Sequence, residues 1–249
     1  MEIRYIDNTV STNDYLMDYA CTKEGQAWQG AVAADYQSAG KGMGTNTWES
    51  ETGKNLLFSI LVHPDWLSPS MQYLVSMAHA CALRDVLSQY TDGIMIKWPN
   101  DIYWKDKKLS GTRIDGNIKG GSMGDLVIGT GININQREFH SDAPNPISLY
   151  QITGKEHDRR EILKQIVERF EHYYDIAKDE WVSEWECDTI MEEYHRSLYR
   201  MDGKMYEFED CYGRFKARIY DVHPNGLMQL IRENGELSQY EFKEVKFII

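Results

Sequence analysis

The chain has 249 residues, a formal net charge of −12 and a 42% hydrophobic content. That is enough apolar material for one large domain or a large and a small one, and it excludes global disorder. The acidic balance excludes a broad nucleic-acid or anionic-lipid surface, so no DNA and no membrane are expected as partners. Cys21, Cys81, Cys187 and Cys211 form no C-x-x-C pair and no zinc-ligand spacing, which reads as reduced thiols in a cytoplasmic protein. The N-terminus has no signal-peptide core, and the apolar run 56–62 is too short to cross a bilayer.

In chain order, Thr12 or Asn13 caps a short helix through Tyr15, Leu16 and Tyr19. Residues 30–36 (GAVAADY) have strand length, and residues 38–47 form a glycine-rich loop that Trp48 ends. Residues 56–62 are a second buried strand. Ser68-Pro69 starts a helix to about Tyr90 with Leu74, Ala78, Cys81, Ala82 and Val86 on one face. A strand at 94–98 precedes a hairpin with arms at 102–104 and 109–118, and its turn is Lys105-Asp106-Lys107-Lys108. Residues 125–134 form another strand. Asp158 caps a long helix with Ile162, Ile166 and Phe170 on its apolar stripe, and a second helix runs to about Leu198. After residue 200 turn signals recur every ten residues or so, at 202–203, 212–213, 224–226 and 234–235, which predicts short strands in a small barrel. The expected domains are 1–199 and 200–249.

Four segments carry chemistry. Gly40-x-Gly42-x-Gly44 frees backbone amides to wrap an anion, but it fits neither the dinucleotide fingerprint nor the P-loop. Lys97-Trp98-Pro99-Asn100-Asp101, followed by Lys108 on the return strand, sets a carboxylate and cations within one site's width, with Asp101 suited to help hold Mg²⁺. Gly129-x-Gly131-Ile132-Asn133 allows close backbone approach and adds an amide for phosphate, metal or ribose. Ser11-Thr12-Asn13 is a helix cap whose hydroxyls and amides also suit a carbonyl or carboxylate.

In this order, with Gln37 ahead of the glycine loop and Leu109-x-Gly111 after Lys108, the segments resemble the biotin protein ligases over nearly the whole chain. The Lys-Trp-Pro-Asn-Asp string is the specific part. The resemblance implies an α/β (α+β) catalytic domain with a mixed, class II synthetase-like sheet, followed by an SH3-like barrel. It implies ATP and biotin as substrates with Mg²⁺, a biotinyl-adenylate intermediate, and transfer to a lysine of a biotin carboxyl carrier protein of a carboxylase such as acetyl-CoA carboxylase. It further implies Lys108 as the catalytic cation. Ser11, Thr12, Asn13, Gln37, Gly40, Lys41, Lys108, Gly111, Gly129 and Gly131 would form the biotin site. Lys41, Gly42, Met43, Trp48, Asn100, Asp101 and Asn133 would form the ATP site, with Asp101 and Asn133 toward the metal and Trp48 against adenine.

Three positions depart from the family pattern. Lys41 and Met43 stand where arginines are common, which predicts a loop held by fewer ionic contacts. Thr112-Arg113 replaces a usually apolar pair beneath the biotin pocket. The Ser-Thr-Asn motif begins at residue 11, which leads one to expect a ligase that is not a repressor; a homodimer is left open. The rivals are a lipoate or octanoyl ligase or transferase of the same fold, against which the Trp-Pro-Asn-Asp string argues, and a non-catalytic biotin- or nucleotide-binding protein, against which Lys108 argues.

Overall fold

The computed structural model describes residues 1–42, 47–141, 143–184 and 187–249. The apolar runs seen in sequence become the middle of a seven-stranded sheet. Its strands are β1 (Glu2–Thr9), β2 (Gly30–Gln37), β3 (Leu56–Val62), β4 (Ile94–Lys97), β5 (Asp101–Trp104), β6 (Lys107–Lys119) and β7 (Ser122–Ile132), in the order β1-β2-β3-β7-β6-β5-β4. β1 and β2 are parallel; the other neighbours are antiparallel. Six helices accompany it among the described residues: α1 (Thr12–Ala20), α2 (Lys23–Gln26), α3 (Tyr73–Leu87), α4 (Leu149–Thr153), α5 (Arg159–Glu184) and α6 (Asp188–Arg196).

Every residue of β3 is buried, because both sheet faces are covered there. Alternation along the strands separates the faces. Phe58, Ile60 and Val62 join the main core with Ile128, α3 and α5. On the opposite face Leu61, Val32 and Val127 pack on Leu16 and Ala20 of the much shorter α1. α1 covers only part of that face, and the remainder is the floor of a cavity.

The second sheet holds β8 (Tyr206–Asp210), β9 (Gly213–Val222), β10 (Met228–Arg232), β11 (Leu237–Tyr240) and β12 (Lys246–Phe247), antiparallel in the order β11-β10-β9-β8-β12. Gly203, Gly213, Gly226 and Gly235 all have positive φ, so the four turn signals fall where only glycine is unstrained. Trp98 ties this sheet to the first: its Nε1 donates to the Gly226 carbonyl at 3.0 Å and its ring meets Phe242 edge-on. Leu198 still bridges to Ile96 of the first sheet, and the second sheet opens at Tyr206.

Several boundaries differ from the sequence reading. Ser11, not Thr12 or Asn13, is the N-cap of α1, which turns Thr12 and Asn13 inward. Ser68-Pro69 opens a 3₁₀ turn (Pro69–Met71) rather than α3, and Ser68 pairs with Ser70 instead of capping. α3 buries nearly its whole circumference because α5 and α6 close the side away from the sheet. The β5–β6 turn is only Lys105-Asp106, with Lys105 at φ +52°. Lys107 and Lys108 therefore belong to β6, and strand geometry sets where the Lys108 side chain leaves the sheet.

Candidate active site

The cavity, about 710 Å³, lies over the part of the sheet that α1 leaves bare. Its floor is cleared by glycines. A Cβ at Gly129 would fall 1.7 Å from Asn13 Oδ1, and one at Gly131 2.3 Å from Cε2 of Trp48. One at Gly111 would meet Lys108 Nζ at 3.0 Å and the Trp48 ring at 3.1 Å. Gly131 pairs with both Gly111 and Leu57 across β6 and β3. Any larger residue at these positions would put its side chain where functional side chains already sit.

One end of the cavity is an amide and hydroxyl cluster. Gln37 Oε1 accepts from the Thr12 backbone N–H at 2.7 Å and from Thr12 Oγ1 at 3.0 Å. Ser59 Oγ donates to Asn13 Oδ1 at 2.6 Å and lies 2.7 Å from Thr12 Oγ1. Asn13 Nδ2 donates to Asp115 Oδ2 at 2.8 Å. These partners fix both amides: each spends its oxygen inside the protein. The Gln37 NH₂ and the second Asn13 N–H remain for a ligand in the cavity that both residues line. Ser11 lines the same end.

The other end is ionic. Lys108 Nζ pairs with Asp101 Oδ2 at 2.8 Å, and both line the cavity with Asn100. The β6 backbone at Lys108 is held on its far side as well: Lys108 N–H donates to the Asn145 carbonyl and Ile147 N–H to the Lys108 carbonyl. The Trp98–Pro99 peptide is cis, and the Pro99 carbonyl accepts from the buried phenols of Tyr73 and Tyr194. Burial pushes both phenols well above their ordinary pKa, so they stay protonated donors. Lys97 is not part of the lining. Its ammonium sits over the rings of Phe247 and Tyr103, and burial lowers its pKa despite the counteracting charge of Asp101.

Trp48 lies between the two ends. The neck of the glycine loop is closed by Trp48 N–H to the Gly40 carbonyl at 3.0 Å and by a bridge between Lys41 and Thr47. Lys41 and Gly42 line the cavity, while the Lys41 ammonium pairs with Asp14 of α1 at 2.7 Å. Gly40 supports the neck and is not part of the lining. Met43 and the rest of 43–46 lie outside the described residues. The Trp48 indole N–H is buried and has no hydrogen-bond partner among the described residues.

Asn133 differs most from expectation. It is buried at the end of β7, Nδ2 donates to the Ile147 carbonyl, and it does not line the cavity. Its Oδ1 is buried without a partner among the described residues. Among the described residues no group of three or more His, Cys, Asp or Glu side chains is placed to hold a metal. Among the described residues Asp101 is the single carboxylate lining the cavity, a set that suits a Mg²⁺ carried mostly by phosphate oxygens and water.

A model of the biotin/lipoate A/B protein ligase family matches residues 5–133, just over half of the sequence. The chain belongs to that family. Its similar relatives include the bifunctional ligase/repressor BirA of Escherichia coli, 30% identical over 184 residues that cover 71% of this chain and 56% of that protein. The BirA of Bacillus subtilis is 31% identical over 151 residues, covering 57% of this chain and 45% of that one. The chain thus spans about half the length of these relatives. The fold matches a solved biotin protein ligase from Aquifex aeolicus in complex with biotin and ATP, with a TM-score of 0.79, 22% identity and 99% coverage of both chains. A mixed α/β part followed by a second antiparallel sheet is the fold shared with that ligase.

Sequence reasoning missed Ser59, Asp115 and Phe242. Ser59 had a signal, since it is the lone polar residue in LLFSILV. Asp115 had one too, as the acid two places after the unexpected Arg113. Phe242, which reaches the cavity from the turn between β11 and β12, had none.

Proposed function

We propose that the chain is a biotin protein ligase, joining biotin and ATP into biotinyl-adenylate and passing the biotinyl group to a lysine of a biotin carboxyl carrier protein. A carboxylate is a poor electrophile. Its attack on the α-phosphorus of ATP, with loss of pyrophosphate, makes a mixed anhydride whose carbonyl carbon an amine can then attack, releasing AMP. The observation that carries this reading is the meeting of Lys108 Nζ and the Trp48 ring over Gly111, with Asp101 Oδ2 2.8 Å from the ammonium. A cation there neutralises carboxylate and phosphate oxygens as charge shifts between them. Trp48, which lines the cavity, offers a face for the nucleotide base. Mg²⁺, when bound with the nucleotide, would supply further neutralisation of the phosphates, and Asp101 would help hold it. The loop neck excludes water from an anhydride that hydrolyses.

The amide cluster favours biotin over lipoate. A urea offers one acceptor and two donors to match fixed amides and hydroxyls. The dithiolane ring of lipoate offers none, and buried polar groups left unmatched reject such a ligand strongly. Pyrophosphate exchange with biotin and with lipoate in parallel tests this, followed by transfer of labelled biotin to a carrier domain. Exchange with biotin alone is expected; exchange with lipoate alone would replace the reading. No helix of the described residues is long and apolar enough to cross a membrane.

A further inference from the structure

Arg113 stands on β6 where the family pattern is apolar, and it lines the cavity. Its charge is already matched. Nε lies 3.1 and 2.9 Å from the two carboxylate oxygens of Asp115, and Nη2 lies 2.8 Å from Oδ1. The pair is half-buried, and Asp115 holds the Arg113 guanidinium more firmly protonated than usual. The second Asp115 oxygen takes the Asn13 amide, whose own oxygen takes the Ser59 hydroxyl. Gly129, opposite Arg113 across β6 and β7, leaves the space that Asn13 fills. Arg113, Asp115, Asn13, Ser59 and Thr12 thus form one connected chain from the cavity wall to Gln37.

An asparagine amide can turn over about its last torsion, exchanging donor and acceptor ends. Here a carboxylate accepts on one side and a hydroxyl donates on the other, so only one orientation satisfies both. The carboxylate is in turn held by a planar fork that leaves it little freedom.

We propose that Arg113 and Asp115 are a positioning pair that locks the Asn13 amide with its N–H toward the ligand, so that the cavity selects a ring bearing a carbonyl acceptor. This deepens the biotin reading and rests on it. The pair sets affinity and selectivity for the ring and leaves the activation step to Lys108 at the other end.

The test compares the full chain with Arg113→Leu, Arg113→Lys and Asp115→Ala. The readouts are biotin and 2-iminobiotin affinity, pyrophosphate exchange at saturating ligand, and thermal midpoint. In the protonated iminobiotin the urea oxygen is replaced by a donor, so a locked Asn13 N–H rejects it. Loss of the lock in Arg113→Leu and Asp115→Ala is expected to weaken biotin binding by about tenfold to a hundredfold, the range for a buried charge-assisted contact. The preference for biotin over iminobiotin should shrink, while kcat at saturation and KM for ATP stay within about twofold. Arg113→Lys, with charge but no fork, should fall between. An unchanged preference ratio, or equal loss of kcat and affinity, would overturn the pair's role. A thermal midpoint that falls while the ratio holds would reduce it to structural support. If the unaltered chain shows no exchange with biotin, the functional reading itself fails and this proposal with it.

Discussion

The two faces of the first sheet are made by the same strands and differ by one residue of register. On one face Phe58, Ile60 and Ile128 pack against α3 and α5, with every side chain filling space. On the other, Ser59, Gly129 and Gly131 empty space, and what remains is polar and hydrogen-bonded. Stability and function are therefore held by alternate residues of one strand. Mutations on the packed face should move the thermal midpoint and leave ligand affinity alone; mutations on the open face should lower ligand affinity.

The largest expected effect is on the packed side. Phe58 is fully buried, and Phe58→Ala should cost about 3–5 kcal/mol of stability in denaturant titration. Biotin affinity of the folded fraction should hardly change. A large affinity loss at full foldedness would break the separation of faces.

On the open face Gly129→Ala places a methyl on Asn13, which cannot retreat while Asp115 and Ser59 hold it. Overpacking of this kind costs about 1–3 kcal/mol of stability, and displacement of Asn13 should also lower biotin affinity, by about tenfold to a hundredfold. Unchanged affinity would mean that Asn13 does not border the ligand.

His79 sharpens the contrast through pH. It lies on the packed face, donates to or accepts from Thr130 Oγ1 at 2.8 Å, and burial lowers its pKa to about 3. Between that value and the unfolded value of about 6.5, the unfolded chain binds the extra proton. Stability is thus full above about pH 6.5 and falls as the pH drops toward 3, by roughly 2 kcal/mol at pH 5. A His79→Gln variant should show a flatter stability profile over that range; an identical profile would show that the imidazole titrates normally in the fold.

The smallest effect belongs to the loop neck. The Lys41–Asp14 pair is about half-exposed on both sides, and such pairs contribute about 0–1 kcal/mol. Lys41→Ala should speed adenylate escape by no more than about fivefold, and the difference should fade in high salt. A larger, salt-insensitive effect would mean that Lys41 touches the ligand directly.

The packed face was legible in sequence because burial on both sides writes continuous apolar runs, as in residues 30–36 and 56–62, and an i, i+4 stripe, as in Ile162, Ile166 and Phe170. The motif residues Ser11, Thr12, Gln37, Trp48, Asn100, Asp101, Lys108, Gly111, Gly129 and Gly131 were also legible, and they all line one cavity. What stayed hidden depends on register between distant strands. Nothing local places Asp115 against Asn13, 102 residues apart, or Ser59 against Thr12. The placement of Asn133 failed for a related reason. The segment 145–147 pairs along Lys108 and Leu149 reaches back to Asn133, and the Ile147 carbonyl takes up the amide that the motif alone offers to a ligand.

The central claim is that the Lys108 ammonium neutralises oxygens while two anions are joined. It is tested most directly by biotin-dependent pyrophosphate exchange with Lys108→Ala, measured beside biotin binding to the same variant. A loss of about a hundredfold to a thousandfold in exchange is expected, with biotin affinity reduced by less than about tenfold. Exchange at the unaltered rate, or a loss in rate matched by an equal loss in affinity, would contradict it.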